Sequence, residues 1–304
     1  MLKRLVNQCT ARLRLHAEEP MLINSGTSLA HDPDMSFVRT RRGGQLEPFI
    51  PGSSLKGVLR SHAERIARTL SEKSVCGVFG DAEVEGCGSR FESAGDPSDY
   101  ERSCPACRLF GSTHWKGRFQ TGDAYLAEGH RDVTMEPRDG VAIDRVTGGA
   151  ASGAKFDLEV LPAGAVFETR LELLNFEAWQ LGWVAYVLRD LTDGYLRLGM
   201  GTSRGLGRVT GMLEALTVEY VGEPDEIDGQ VAGLGAFASK DEQERYGLSG
   251  SDRVALPEGF AFERPAGSLR SGLRLTETSR QKNFLAAVAP AWDHFIKQAD
   301  PADA

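Results

Sequence analysis

Apolar and polar residues alternate along CTARLRLH (residues 9–16) and more clearly along GAVFETRLELL (164–174). A period of two is that of strands with one face against a core. Between them the period changes. In PFIPGSSLKGVLRSHAERIARTL the residues Leu55, Val58, Leu59, His62, Ile66 and Leu70 recur at helical spacing, and Ser53 or Ser54 is placed to cap that helix. FEAWQLGWVAYVLRDLTD (176–193) suits a second amphipathic helix, while GRFQTGDAYLA (117–127) and RVTGMLEALTVEY (208–220) read as strands.

In order these elements are β-α-β-β-α-β, which predicts an α+β, ferredoxin-like (RRM-like) core. Long segments interrupt it. Residues 17–47 read as a polar loop with Pro20, Gly26, Pro33 and the Gly43-Gly44 pair. Such loops are usually functional or disordered. Residues 74–115 are rich in Gly, Cys, Pro and Ser, without periodicity at least to residue 111, and read as an insertion. Residues 130–160 read as a second insertion, a long hairpin with a small-residue tip at Thr147–Ala154. The expected division is a core over 1–222, including both insertions, and an acidic extension over 223–304 with a terminal helix at Gln281–Gln298.

No apolar run approaches the roughly 20 residues needed to span a bilayer, and the N-terminus MLKRLVNQCTARLRL lacks the continuous apolar core of a signal peptide. A cytoplasmic location without membrane attachment is expected. The net charge of −8 argues at first against a nucleic-acid partner, but its distribution matters more than its sum. Arg39, Arg41, Arg42, Lys56, Arg60, Arg65 and Arg68 face few acids, whereas residues 214–244 are mainly acidic.

Three segments carry candidate chemistry. In GMGTSRGLGRV (199–209) the glycines, including Gly201 and Gly205, allow close backbone approach, and Arg204 and Arg208 supply charge. A helix precedes this turn and a strand follows, the reverse of a dinucleotide fingerprint. In PFIPGSSLKGVLR (48–60) a Gly-Ser-Ser turn, Lys56 and a helix N-terminus suit phosphate, although the Gly-Lys-Ser/Thr ending of a Walker loop is missing. In VAIDRVTGGAASGAKFD (141–157), Asp144 and Arg145 precede a small-residue stretch expected at the end of a projecting hairpin.

Four of the five cysteines, Cys76, Cys87, Cys104 and Cys107, fall in the first insertion. Cys104-Pro-Ala-Cys107 is half of a zinc knuckle, and the other two can complete a tetrahedron, with His114 as a substitute ligand. A reducing compartment disfavours disulfides. Structural Zn2+ is expected, and Cys9 on its strand reads as a packed residue.

Together, IPGSSLKG, IDR-x-TG and the G-x-G-x-x-RG-x-GR turn resemble the RAMP superfamily of CRISPR systems, most of all the backbone subunit (the seventh Cas family) of type III effector complexes. The resemblance covers residues 8–220. It implies a guide-RNA-binding subunit whose copies stack along the guide with other effector subunits, and whose thumb displaces a base of the guide–target duplex. It implies that Ser53, Ser54, Lys56 and Arg60 hold the guide backbone, that Gly201, Arg204 and Gly205 lie nearby, and that Asp144 and Arg145 sit at the base of the thumb. It also implies an aspartate before IPGSSLKG that cuts target RNA, leaving a 2′,3′-cyclic phosphate. Asp34 fits best, with Asp32 and His31 as alternatives, and Mg2+ or Mn2+ could assist. Two other readings stand beside this one: a non-catalytic subunit of the same kind of complex, and a guide-processing endoribonuclease. For the latter, His16, His31, His62, His114 and His130 are scattered without visible pairing.

Overall fold

The computed structural model describes residues 3–26, 33–77, 86–91 and 96–298. Asp32 and His31 lie outside them. The chain runs β1 (Asn7–Ala17), β2 (Arg39–Arg42), β3 (Gln45–Ile50), α1 (Gly52–Leu70), α2 (Cys87–Arg90), α3 (Ser98–Arg102), α4 (Pro105–Phe110), β4 (Phe119–Thr121) and β5 (Ala124–Leu126). It continues through β6 (Glu136–Ile143), β7 (Ala150–Val160), β8 (Val166–Leu174), α5 (Ala178–Thr192), β9 (Val209–Val221) and β10 (Gln230–Ala232). It ends with α6 (Lys240–Tyr246), β11 (Arg253–Ala255), β12 (Arg270–Leu275), α7 (Thr278–Val288) and α8 (Pro290–Gln298).

The alternation in β1 places Cys9, Ala11, Leu13, Leu15 and Ala17 in the core and leaves Arg12 and Arg14 on the other face. Burial also pushes the Cys9 thiol up to about 12. β1 pairs antiparallel with β8 on one side and β9 on the other. The first, third and last strands of the expected core therefore lie side by side, and β5 and β4, from its second strand, each pair antiparallel with β8. The main sheet runs β12-β9-β1-β8-β5-β3-β2, giving a mixed α+β protein with an antiparallel sheet.

Several elements depart from the sequence reading. The segment 17–47 contains strand β2 and the start of β3, joined at Gly43-Gly44, both with positive φ. The charged β2, Arg-Thr-Arg-Arg, offers no apolar alternation to read, and charge is one way that an edge strand avoids pairing with another chain. The first insertion holds the short helices α2, α3 and α4. The hairpin tip is 144–149, not 147–154, because Ala150–Ala154 belong to β7. The terminal helix is two helices, with Ala289 and Pro290 at the joint, where proline cannot complete the ladder.

The residues after 222 share the sheet and the core. β12 pairs with β9, and the rings of Trp183 and Trp292 stack at 4.1 Å, as do those of Trp179 and Phe295. At the start of α5, Glu177 is buried against Arg108 at 2.9 Å and accepts from the Tyr100 hydroxyl at 2.6 Å. Asp252 accepts from the N–H groups of Ala178 and Gly235 at 2.8 and 3.1 Å. These contacts fasten the first insertion and the extension to one helix end.

Candidate metal centre and nucleic-acid interface

The four insertion cysteines converge. Their sulfurs all lie within 4.8 Å of one another, with Cys76 3.6 Å from Cys107 and 3.5 Å from Cys104. A disulfide would need about 2.05 Å, whereas a tetrahedron of zinc–sulfur bonds of about 2.3 Å has edges near 3.8 Å. Cys104 caps α4 and accepts from the N–H of Cys107, and the N–H of Cys104 points at Cys87 Sγ at 3.2 Å. Hydrogen bonds from Cys104, Cys107 and Cys87 hold the Cys76 thiol well below its ordinary range, and the same kind of sharing pushes the Cys107 thiol up. A dication would take all four as thiolates. The cysteines and Phe91 form a small core of their own. His114 stands beside the cluster, with its Nε2 at 3.1 Å from the Gly88 carbonyl.

Helix α1 begins two residues earlier than a Ser53 cap requires. Pro51 is the N-cap, and neither Ser53 nor Ser54 caps the helix. The N–H of Gly52 donates to Asp123 Oδ1 at 2.7 Å, and the Gly52 carbonyl accepts from the Thr121 hydroxyl at 2.7 Å. A side chain at Gly52 would meet the Thr121 carbonyl oxygen at 2.7 Å, so this glycine lets the helix start press against the turn between β4 and β5. Ser53 and Ser54 are left at the surface end of the helix. Lys56 is half-buried, forms no ion pair among the described residues, and has its ammonium pushed below the usual range by burial and then by Arg60. Arg60, which the resemblance places with Lys56 on RNA, makes contacts within the chain. Its three nitrogens reach Glu64 at 2.7 Å, the Gly111 carbonyl at 2.9 Å and Cys107 Sγ at 3.5 Å.

The other two motifs meet on a different surface. A cavity of about 180 Å³ is lined by Met35 from the segment before β2, by Arg138, Gly140, Phe156 and Leu158 from the hairpin, and by Met200, Gly201 and Arg204 from the glycine turn. Gly199 and Gly207 hold the turn with positive φ, where a side chain would strike the Leu22 and Leu198 carbonyl oxygens at 2.1 and 2.2 Å. Arg204 is exposed and forms no ion pair among the described residues. Beside the cavity, Met35 bridges to β7, and the exposed Asp34 carboxylate accepts from the Asp157 N–H at 3.0 Å. Asp157, which sequence reasoning did not single out, faces Asp139 across the hairpin.

Asp144 and Arg145 are at the tip of the hairpin and not at its base. The Asp144 carboxylate accepts from the N–H groups of Val146 and Thr147, both at 2.8 Å, and these bonds hold it below the usual carboxylate range. It therefore shapes the tip, a role that Asx turns commonly fill. Val146 projects there at 95% exposure, and Val141 and Ile143 are exposed below it. Sequence reasoning did not single out Val141 or Val146, because isolated apolar residues in a polar hairpin carry no periodic signal. Among the described residues no helix is long and apolar enough to cross a membrane.

The sequence matches no curated protein. The family model of the RAMP superfamily matches residues 14–210, which include the loop before α1, the cysteine insertion, the hairpin and the glycine turn, and the chain belongs to that superfamily.

Proposed function

We propose that this chain is a guide-RNA-binding backbone subunit of a type III CRISPR effector complex, with a ferredoxin-like core, and that it cuts the paired target RNA. Membership of the RAMP superfamily suggests a CRISPR-associated RNA-binding subunit. The observation that carries the finer reading is the convergence of the Asp34 loop, the hairpin and the glycine turn on one cavity. Strand order supports the core, since β9-β1-β8-β5 is the order of a split βαβ sheet.

In this reading the surface hydroxyls of Ser53 and Ser54, with Lys56, hold guide phosphates without reading bases, and Arg204 with the backbone at Gly201 and Gly205 holds another stretch. Pairing between guide and target supplies specificity. The hairpin is the thumb, and Val146 at its tip is the apolar wedge that takes the place of a displaced base. Arg145 lies beside it to meet phosphate. Other copies of the chain and other effector subunits are the protein partners.

Asp34 serves as proton acceptor for cleavage. It takes the proton of a target ribose 2′-hydroxyl, the 2′-oxygen attacks the adjacent phosphorus as the bond to the 5′-oxygen breaks, the 5′-oxygen takes a proton from water, and Asp34 gives its proton back to solvent. The products are a 2′,3′-cyclic phosphate and a 5′-hydroxyl. In-line orientation can supply about 7 kcal/mol or more of such a barrier, so a single carboxylate beside a distorted strand can suffice. The Asp34 oxygen not bonded to Asp157 is also available to Mg2+ or Mn2+. The Asp157 bond equally favours a second reading, a non-catalytic subunit in which Asp34 pins the loop to the hairpin. Cleavage of a guide-paired RNA by the assembled complex, with Asp34→Ala as the comparison, decides between them.

A further inference from the structure

Helix α1 carries a stripe that serves neither its cap nor the hydrophobic core. Arg60, Glu64 and Arg68 recur every four residues and so share one face. Glu64 is buried and joins its neighbours, accepting from Arg60 at 2.7 Å and from Arg68 at 3.4 Å. From this ladder Arg60 reaches Cys107 Sγ at 3.5 Å and the Gly111 carbonyl at 2.9 Å, and Arg68 reaches the Cys76 carbonyl at 3.1 Å. The helix therefore grips both the first and the last cysteine of the cluster.

Four thiolates around one dication leave a net negative charge of about two. Such a centre needs donors and cations around it, and outer partners of this kind typically govern metal affinity by about 10- to 100-fold. Arg60 is placed to supply both. Its planar fork satisfies a carboxylate, a carbonyl and a sulfur at once, which a lysine cannot do. One turn toward the N-terminus on the same helix stands Lys56, without an ion-pair partner among the described residues.

We propose that Arg60 is a positioning residue for the cysteine metal centre, bracing Cys107 and Gly111 against α1 so that a filled site fixes the helix segment that presents Lys56. The second half of this inference rests on the RNA-binding reading above. In this account Arg60 touches no RNA, and zinc acts on RNA affinity through the helix.

The test compares the full chain with Arg60→Gln and Arg60→Lys. Three quantities are read: zinc release to a colour-forming chelator, amide hydrogen exchange across residues 53–60, and affinity for a single-stranded RNA. Arg60→Gln should release zinc at least about ten-fold faster, exchange faster along the start of α1 and bind RNA more weakly. Arg60→Lys should fall between it and the unaltered chain. If Arg60→Gln fails to fold, Arg68→Gln, on the more exposed side of the ladder, should shift all three readings in the same direction. RNA affinity that falls while zinc release and exchange stay unchanged would mean that Arg60 contacts RNA itself, and would overturn the inference. Faster zinc release with unchanged RNA affinity would overturn the coupling to the helix. A chain that binds no RNA at all would defeat the RNA reading instead, and zinc release would still decide the role of Arg60 at the metal.

Discussion

The carboxylate of Asp34 accepts a 3.0 Å hydrogen bond from the main-chain N–H of Asp157, tying the segment ahead of β2 to the returning strand of the hairpin. One oxygen is occupied and the group stays exposed. Asp34→Ala should abolish target cutting in the assembled complex while leaving guide and target binding unchanged, because the residue is outside the proposed phosphate contacts. Gel analysis of an end-labelled target checks this, and a 2′-deoxy substitution at the cut should block it equally. Asp32→Ala is the control. Loss of cutting there, with cutting retained in Asp34→Ala, would move the role two residues upstream.

Much of this arrangement could be read in advance, and the gaps have physical causes. The alternation in β1 and β8 and the helical spacing in α1 and α5 come from elements with one face in the core. The cysteine cluster was legible because Cys104-Pro-Ala-Cys107 has the spacing of a zinc-knuckle half-site and two more cysteines fall in the same segment. The direction of a charged side chain is not written in the chain, so the turn of Arg60 toward Cys107 could not be read. The resemblance put Asp144 at the base of the thumb, and nothing in IDR-x-TG says that the strand ends at Ile143. β12 escaped notice because its place beside β9 depends on partners some fifty residues away.

Metal content tests the cysteine centre. About one zinc per chain is expected, as a four-ligand structural site implies. Cys104→Ser or Cys107→Ser should lower zinc content and raise the susceptibility of the insertion to proteolysis. A fully folded protein without metal, resistant to protease, would contradict the assignment.

The Asp252 carboxyl is pushed up to about 7, first by burial and then by the neighbouring Glu177. Its folded value exceeds its unfolded value, so the folded state binds the extra proton between about pH 4 and pH 7. The stability it contributes is fully present below about pH 4 and is lost as pH rises through about 7. Asp252→Asn should flatten this part of the stability profile, measured by denaturant titration across pH 5–8. A profile identical to that of the unaltered chain would show that the group is not the source.

The Asp144 carboxylate holds two N–H groups of the hairpin tip at 2.8 Å each. Asp144→Ala should leave global stability within roughly 0.5 kcal/mol, as exposed sites usually do, yet speed amide exchange at Val146 and Thr147. In the assembled complex the loosened tip should weaken cutting more than binding, because the wedge and not the backbone clamp is disturbed. Equal losses in both would place Asp144 on the RNA itself.

Single-stranded RNA affinity measured against salt concentration is the decisive measurement for RNA binding by this chain. The chain should bind unrelated sequences alike, its affinity should fall linearly on a log–log plot with salt, and Lys56→Ala and Arg204→Ala should each weaken binding and reduce the slope by about one. Binding that is absent at low salt, that is insensitive to salt, or that is unchanged in both variants would contradict the RNA-binding reading.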